Sequence, residues 1–339
     1  MSDPSGHLLD TITGRQRLLD RFNRLEQLLV TQAEWAAQAE QRAEQHAQDQ
    51  RERLERIERR LEEAIGYFAV RSNRLVDSQS AYLGDHTAIT FLENGIRILV
   101  DTRSIDIGIH LLTLGRWETA YTSLFTRLVK PGDRVLDLGA NHGVYALLAA
   151  QIVGPTGRVD AFEPNPRLAK LVDLSLRLNG FAAWAQVHAV GVSEAAGMAR
   201  LVFNDNFSGG GAVALAGSSQ GTRPGVDCRL VVLDEMFADP SYRVDVIKMD
   251  VEGHEGRALR GMRGLLARSE NVRIMMEFGP EMMRNAGVGA AEVVAFLEGL
   301  GLSAWTINED GGTEPTGWAE LAAQTDGLQN ILVARQAPV

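Results

Sequence analysis

The chain has 339 residues, 45% of them apolar and 23% charged, and 34 basic against 44 acidic residues give a formal charge of −10. That length holds a full-size globular domain plus an extension, and the acidic balance argues against nonspecific binding to nucleic acid or anionic membrane. A single cysteine, Cys228, excludes a disulfide framework or a cysteine-based zinc site within one chain and points to a reducing compartment. With no apolar run of bilayer length, and a polar start from Met1 to Asp10, the expectation is a cytoplasmic protein without a membrane span.

Residues 1–74 are expected to form one long helix. From Arg15 to Ile65 there is no glycine or proline, and Glu, Gln, Arg, Ala and Leu dominate; at the standard rise such a helix runs about 75 Å. Leu18, Phe22, Leu25 and Leu29 alternate at four and three residues, and Leu54, Ile57 and Leu61 resume that spacing. Between them the seam weakens through Gln32, Ala36, Ala39, Ala43, His46 and Gln50, and the step from Gln50 to Leu54 is a stutter. A self-associating coiled coil is the expectation, and a charged helix packed on its own domain the alternative.

Residues 75–130 form a cap region, strand-like over Ile96 to Val100 and helix-like over Trp117 to Leu128. In 131–339 strands alternate with helices: Arg134 to Leu138, Arg158 to Phe162, Gln186 to Val190, Val244 to Met249 and Val272 to Phe278. That alternation predicts a parallel, doubly wound α/β sheet. Ala291 to Leu300 then reads as a helix, and Ala304 to Ile307 and Asn330 to Ala334 as a closing antiparallel edge. The Gly- and Ser-rich Phe207 to Gly225 interrupts the alternation, either as a plain connecting loop or as a lid over substrate.

Two constellations carry chemistry. In the first, a buried strand runs into Asp137-Leu138-Gly139-Ala140-Asn141-His142-Gly143 and an apolar helix runs out, so a ligand meets backbone N–H groups and a helix N-terminus. Glu163 ends the next strand, where a ribose-binding carboxylate belongs. Nicotinamide dinucleotides and S-adenosylmethionine share this layout. Asp137 would repel a pyrophosphate and attract a methionyl ammonium, and Asn141 stands where a dinucleotide loop needs glycine. In the second constellation, Lys248-Met249-Asp250-Val251-Glu252-Gly253-His254-Glu255 lies where a core strand ends and a helix begins, with Lys248 and Asp250 on one side of the strand. Glu277 ends the following strand. The alternative here is helix capping by Asp250 and Glu252 with a Lys248 ion pair.

From about Tyr82 to Val333 these residues resemble the FkbM-type class I methyltransferases. The resemblance rests on 137–143, on Ala161-Phe162-Glu163-Pro164-Asn165-Pro166, on 248–255, and upstream on Tyr82 to Ala88 and Gly115-Arg116-Trp117-Glu118. It implies a Rossmann-like seven-strand methyltransferase sheet, S-adenosylmethionine as cofactor, and a hydroxyl acceptor on a sugar, polysaccharide or secondary metabolite. Carried onto this chain, it implies that Asp137, Gly139, Asn141 and Gly143 line the methionyl end, that Glu163 grips the ribose hydroxyls, and that Glu118 is a further cofactor candidate. The adenine is expected near Val190 to Ser193.

An electrophilic methyl needs an aligned oxygen and a group to take its proton. His254, Asp250 and Lys248 are the catalytic candidates; His254 or Asp250 could be the base, with His254 favoured and Asp250 then orienting substrate or base. A magnesium ion held by Asp250, Glu252 and Glu277 ranks second. A nicotinamide-dependent oxidoreductase and a catalytically silent coiled-coil scaffold are the competing functions.

Overall fold

The computed structural model describes residues 80–204, 207–214 and 225–337, together with residues between 21 and 65, of which 50–62 are continuous. The chain divides into two units, Met1–Arg71 and Ser72–Val339. In the first, every described residue is helical, and we label residues 50–62 α1. Phe22, Leu25, Leu54, Ile57 and Leu61 are all exposed. The seam positions Leu18, Leu29, Ala36, Ala39 and Ala43 lie outside the described residues.

The second unit opens with an antiparallel three-stranded sheet of β1 (Ala81–Gly84), β2 (Thr87–Phe91) and β3 (Arg97–Asp101), followed by α2 (Ile107–Leu114) and α3 (Thr119–Leu128). Then β4 (Arg134–Leu138), α4 (Val144–Val153), β5 (Arg158–Phe162), α5 (Pro166–Leu178) and β6 (Ala185–His188) alternate. Next come β7 (Gly191–Val192), β8 (Gly197–Asn204), β9 (Phe207–Ala214) and β10 (Gly225–Val231), a small sheet in the order β7-β10-β8-β9, and the short α6 (Leu233–Met236). Alternation resumes with β11 (Val246–Met249), α7 (Glu255–Arg260), α8 (Arg263–Arg268), β12 (Arg273–Phe278), α9 (Pro280–Asn285) and α10 (Ala290–Gly299). The chain closes through β13 (Ser303–Ile307), β14 (Thr313–Thr316), α11 (Trp318–Ala323) and β15 (Gln329–Ala334).

The main sheet runs β14-β13-β15-β12-β11-β4-β5-β6. Its centre is parallel, and β15, β13 and β14 add antiparallel to one side. Parallel strands are covered on both faces and therefore read as continuous apolar runs. Val135 packs on one face with α3 and α4. Leu136, Leu138, Ile247 and Met249 pack on the other with α7, α8 and α10. Each fully buried Leu or Ile of this kind contributes about 1.5–3 kcal/mol.

Two expectations are corrected. The sheet has eight strands, not seven, because β14 extends the edge beyond β13. Its sequence, Thr-Glu-Pro-Thr, has no apolar alternation, and Pro315 is tolerated because an edge strand needs no N–H on its outer side. The Gly- and Ser-rich segment is not loop throughout: 207–214 forms β9, paired antiparallel with β8, while 215–224 lies outside the described residues.

The β1–β3 sheet is fastened to α5 and so to the back of the ligand loop. The Leu99 N–H donates to the buried Ser175 Oγ at 2.9 Å, and the Arg97 N–H to Asn179 Oδ1 at 2.9 Å.

Candidate active site

Gly139, Asn141 and Gly143 all take left-handed backbone, at φ 79°, 50° and 86°. At Gly139 the requirement is also spatial, since a Cβ there would stand 1.8 Å from the Asp250 carbonyl oxygen. At Gly143 a Cβ would stand 2.9 Å from both methyls of Val172 on α5. The loop is thus pressed between the end of β11 and a helix, with the Gly139 and Ala140 N–H groups donating to the Phe162 carbonyl at 2.9 and 3.0 Å.

Glu163 holds the loop from the neighbouring strand. Its Oε2 accepts the Asn141 N–H at 2.7 Å and its Oε1 the Asn165 N–H at 2.8 Å. Burial pushes its pKa up to about 7 against the pull of those donors. Asp137 is fully buried, and neither carboxylate oxygen has a hydrogen-bond partner among the described residues. Burial raises its pKa to about 6, with the Lys248 ammonium pulling the other way.

Strand register explains that pairing: β4 and β11 are parallel neighbours with Lys248 opposite Asp137. Lys248 Nζ lies 3.9 Å from Asp137 Oδ1 and 3.4 Å from Asp250 Oδ2, and it donates to the Gly139 carbonyl at 3.1 Å. It also sits 5.2 Å from the centre of the Tyr145 ring, within cation–π reach. Burial works against its charge, but Asp250 and Asp137 override it and hold the ammonium's pKa above its ordinary value. Lys248 is therefore a fixed cation joining the two constellations, with no proton to give up near neutral pH.

The rim beyond Lys248 is acidic. Glu252 lines the cavity in a left-handed conformation at φ 54°, and burial followed by the Asp250 and Glu255 charges pushes its pKa up to about 8. Burial and the same neighbouring carboxylates, Glu252 included, raise Glu277 to about 9. Glu255 Oε1 accepts the Val251 N–H at 3.1 Å and the Gly253 N–H at 3.3 Å, so it closes the turn rather than facing a ligand. Among the described residues no three His, Cys, Asp or Glu side chains come together in a group that could hold a metal, so Asp250, Glu252 and Glu277 are not gathered as the magnesium alternative requires.

The candidate residues divide into two sets. Gly139, Asn141, Glu163, Lys248, Asp250, Glu252 and His254 line one cavity, with Asp137 and Gly143 packed just behind it. Val190, Gly191 and Val192 line it too, whereas the Ser193 hydroxyl meets His254 Nε2 at 3.0 Å. His254 is the one rim residue whose expected role the geometry weakens. Its Nδ1 is buried without a partner among the described residues, and burial, then Arg257, lowers its pKa to about 4, so it is neutral but a poor proton acceptor. Glu118 stands apart, exposed at the N-terminal cap of α3, where it accepts the Tyr145 hydroxyl at 2.7 Å.

Sequence reading assigned no role to His142, Asp101, Arg103, Arg167 or Trp117. His142 Nε2 accepts the Asp101 N–H at 3.2 Å, which fixes the tautomer and makes Nδ1 the donor to Asn141 Oδ1 at 2.6 Å. Asp101 takes Arg103 at 2.7 Å and Arg167 at 2.5 Å. Burial raises its pKa, but hydrogen bonds from both arginines outweigh that and bring it to about 2. Asp101, Arg103 and Trp117 line the cavity opposite the rim. The local signals were His142 within the glycine loop, Trp117 beside Glu118, and a charged pair, Asp101 and Arg103, at the end of a strand.

Residues 137–303 match the family model described as the methyltransferase FkbM domain. Among solved structures, the chain is similar to an S-adenosylmethionine-dependent O-methyltransferase of Thermotoga maritima, at 16% identity over 74% of this chain and 78% of that one, with a TM-score of 0.37. Precorrin-6y C5,15-methyltransferase of Geobacter metallireducens matches at 13% identity over 64% and 87%, with a TM-score of 0.35. An O-methyltransferase of Bacillus cereus solved with S-adenosylhomocysteine matches at 14% identity over 64% and 79%, also at 0.35. No curated protein matches the chain significantly. The matched segment spans the glycine loop, Glu163 and the whole 248–255 cluster on a mixed α/β sheet, and residues 137–303 of this chain are a methyltransferase FkbM domain.

Proposed function

We propose that this chain is an S-adenosylmethionine-dependent O-methyltransferase acting on a hydroxyl of a sugar, polysaccharide or secondary metabolite. The observation that carries the cofactor is Asp137: a fully buried carboxylate whose oxygens make no close hydrogen bond among the described residues, and whose one nearby ammonium, Lys248 at 3.9 Å, is shared with Asp250, gains from a ligand cation that meets it. The residues present fit S-adenosylmethionine. Asp137 faces the ammonium, the left-handed loop at Gly139 to Gly143 takes the methionyl end, and Glu163 presents a carboxylate to the ribose diol.

When bound, the cofactor supplies a methyl group on a sulfonium. Asp250, with its carboxylate about a third exposed and anchored to Lys248, takes the acceptor's hydroxyl proton at a carboxylate oxygen and orients that oxygen. Lys248 keeps Asp250 and Asp137 in place as their shared counterion. His254, neutral and tied to Ser193, shapes the floor of the acceptor side. Ile107 and Trp117 cover the opposite wall and exclude water from the transfer. A cytoplasmic setting belongs to this reading; among the described residues no helix is long and apolar enough to cross a membrane.

The test is incubation with methyl-labelled S-adenosylmethionine and a panel of glycans and hydroxylated small molecules, read by mass spectrometry. A mass gain of one methyl, lost on mild treatment that cleaves esters but not ethers, would place transfer on a carboxyl and refute the hydroxyl acceptor. Absence of cofactor binding by calorimetry would refute the reading as a whole.

A further inference from the structure

Phe22, Leu25, Leu54, Ile57 and Leu61 are 69, 59, 60, 54 and 59% exposed, although they repeat at the spacing of an apolar seam. Spacing fixes their heptad places. Phe22, Leu54 and Leu61 fall at a, and Leu25 and Ile57 at d. The flanking charges then follow without further choice. In the upper seam Arg21 is at g and Glu26 at the following e; in the lower seam Arg53 is at g and Glu58 at the following e. All four are exposed and helical.

In a parallel pair, g of one helix lies beside the e five residues on in its neighbour, so Arg21 meets the other copy's Glu26 and Arg53 meets its Glu58. Each contact occurs twice by symmetry. An antiparallel pair sets g against g and e against e and loses this match. The stutter between Gln50 and Leu54 separates the two seams, yet both carry the same arginine-to-glutamate step, so a shared parallel register satisfies them together. We propose that the N-terminal helices of two copies of this chain associate in parallel and in register, held by these two seams and specified by the Arg21–Glu26 and Arg53–Glu58 pairs across the interface. Leu at a and Ile at d in the lower seam also accommodate more than two strands. Orientation and register are the same in either case.

The full chain provides the test, because its one cysteine, Cys228, is buried and silent in cross-linking. Light scattering of the wild type at tens of micromolar is expected to give two or more copies. Ile57→Cys places a thiol at d, where parallel copies face one another, and mild oxidation should link them into a covalent dimer. Arg59→Cys, at f on the outer surface, should stay unlinked. The double variant R21E/R53E should dissociate at a concentration at least tenfold higher than wild type, and adding E26R/E58R should restore the original value. A monomeric mass for the wild type, equal linking at positions 57 and 59, or failure of the reversed charges to restore association would each overturn the proposal.

Discussion

Replacing Asp137 with asparagine separates the cost of a buried charge from its use. The side chain keeps its shape and loses its charge. In the folded chain the carboxyl titrates at about 6, against 3.8 for the free group, so the folded state holds the proton more firmly than the unfolded one. The sign follows: folding carries no penalty from this group below about pH 4, and the full penalty, about 3 kcal/mol, above about pH 6. The D137N variant escapes that penalty but leaves Lys248 with Asp250 as its one remaining carboxylate partner, so the net gain is smaller. Its thermal midpoint without cofactor at pH 8 should equal or exceed the wild type's. Cofactor binding should move the other way. An ammonium about 4 Å from a carboxylate at an effective dielectric near 20 is worth about 4 kcal/mol. Lys248, already 3.9 Å away, and the lost hydration of the ammonium reduce that to about 2–3 kcal/mol, or about 30- to 150-fold in Kd. Calorimetry should also show wild-type affinity for S-adenosylmethionine rising from pH 5 to 7 as Asp137 ionises, and a flatter profile in the variant. A variant that is less stable than wild type at pH 8, or that binds within twofold of it, would refute the reasoning.

Three further outcomes are expected. Glu163→Ala should weaken S-adenosylmethionine by about 1–3 kcal/mol in calorimetry, since a buried diol and the Asn141 and Asn165 N–H groups lose their acceptor. Asp250→Asn should lower turnover by about 10²–10⁴, the usual range for losing a general base, while cofactor Kd stays within a few-fold; wild-type turnover in this variant would move the proton to another group. His142→Ala should cost about 2–4 kcal/mol of stability in urea unfolding, because it opens a cavity and leaves the buried Asp101 N–H unpaired.

Legibility of the fold followed the strength of its local signals. β4, β5, β11 and β12 were visible because strands covered on both faces must be apolar without interruption. Glycine loop and helix start were visible because only certain residues adopt those backbones, and Asn141 at φ 50° shows the limit of that rule. β14 was hidden because an edge strand can be polar and contain proline, and β9 because glycine obscures strand patterning. At the site, Asp137, Glu163, Lys248 and Asp250 could be named from their places at strand ends. The His142–Asp101 contact could not, since it joins residues 41 apart in sequence through a small sheet with no clear pattern of its own. Reactivity was less legible than position. His254 has the right identity for a base, but burial that appears only in three dimensions lowers its pKa to about 4.

The two constellations, 109 residues apart between Gly139 and Lys248, form one electrostatic object. Register sets Lys248 beside Asp137, and Gly139 lets the Asp250 carbonyl approach to where no Cβ would fit, so loop and rim cannot shift independently. One ammonium then serves two carboxylates, one on each side. A cation brought by the cofactor to Asp137 would take over part of that service, leaving Lys248 more fully to Asp250. The stronger pull on Asp250 keeps that carboxylate aligned when the acceptor arrives. A buried lysine, costly by itself, is therefore accounted for by its place between the Asp137 and Asp250 carboxylates, whose charges it couples through one side chain.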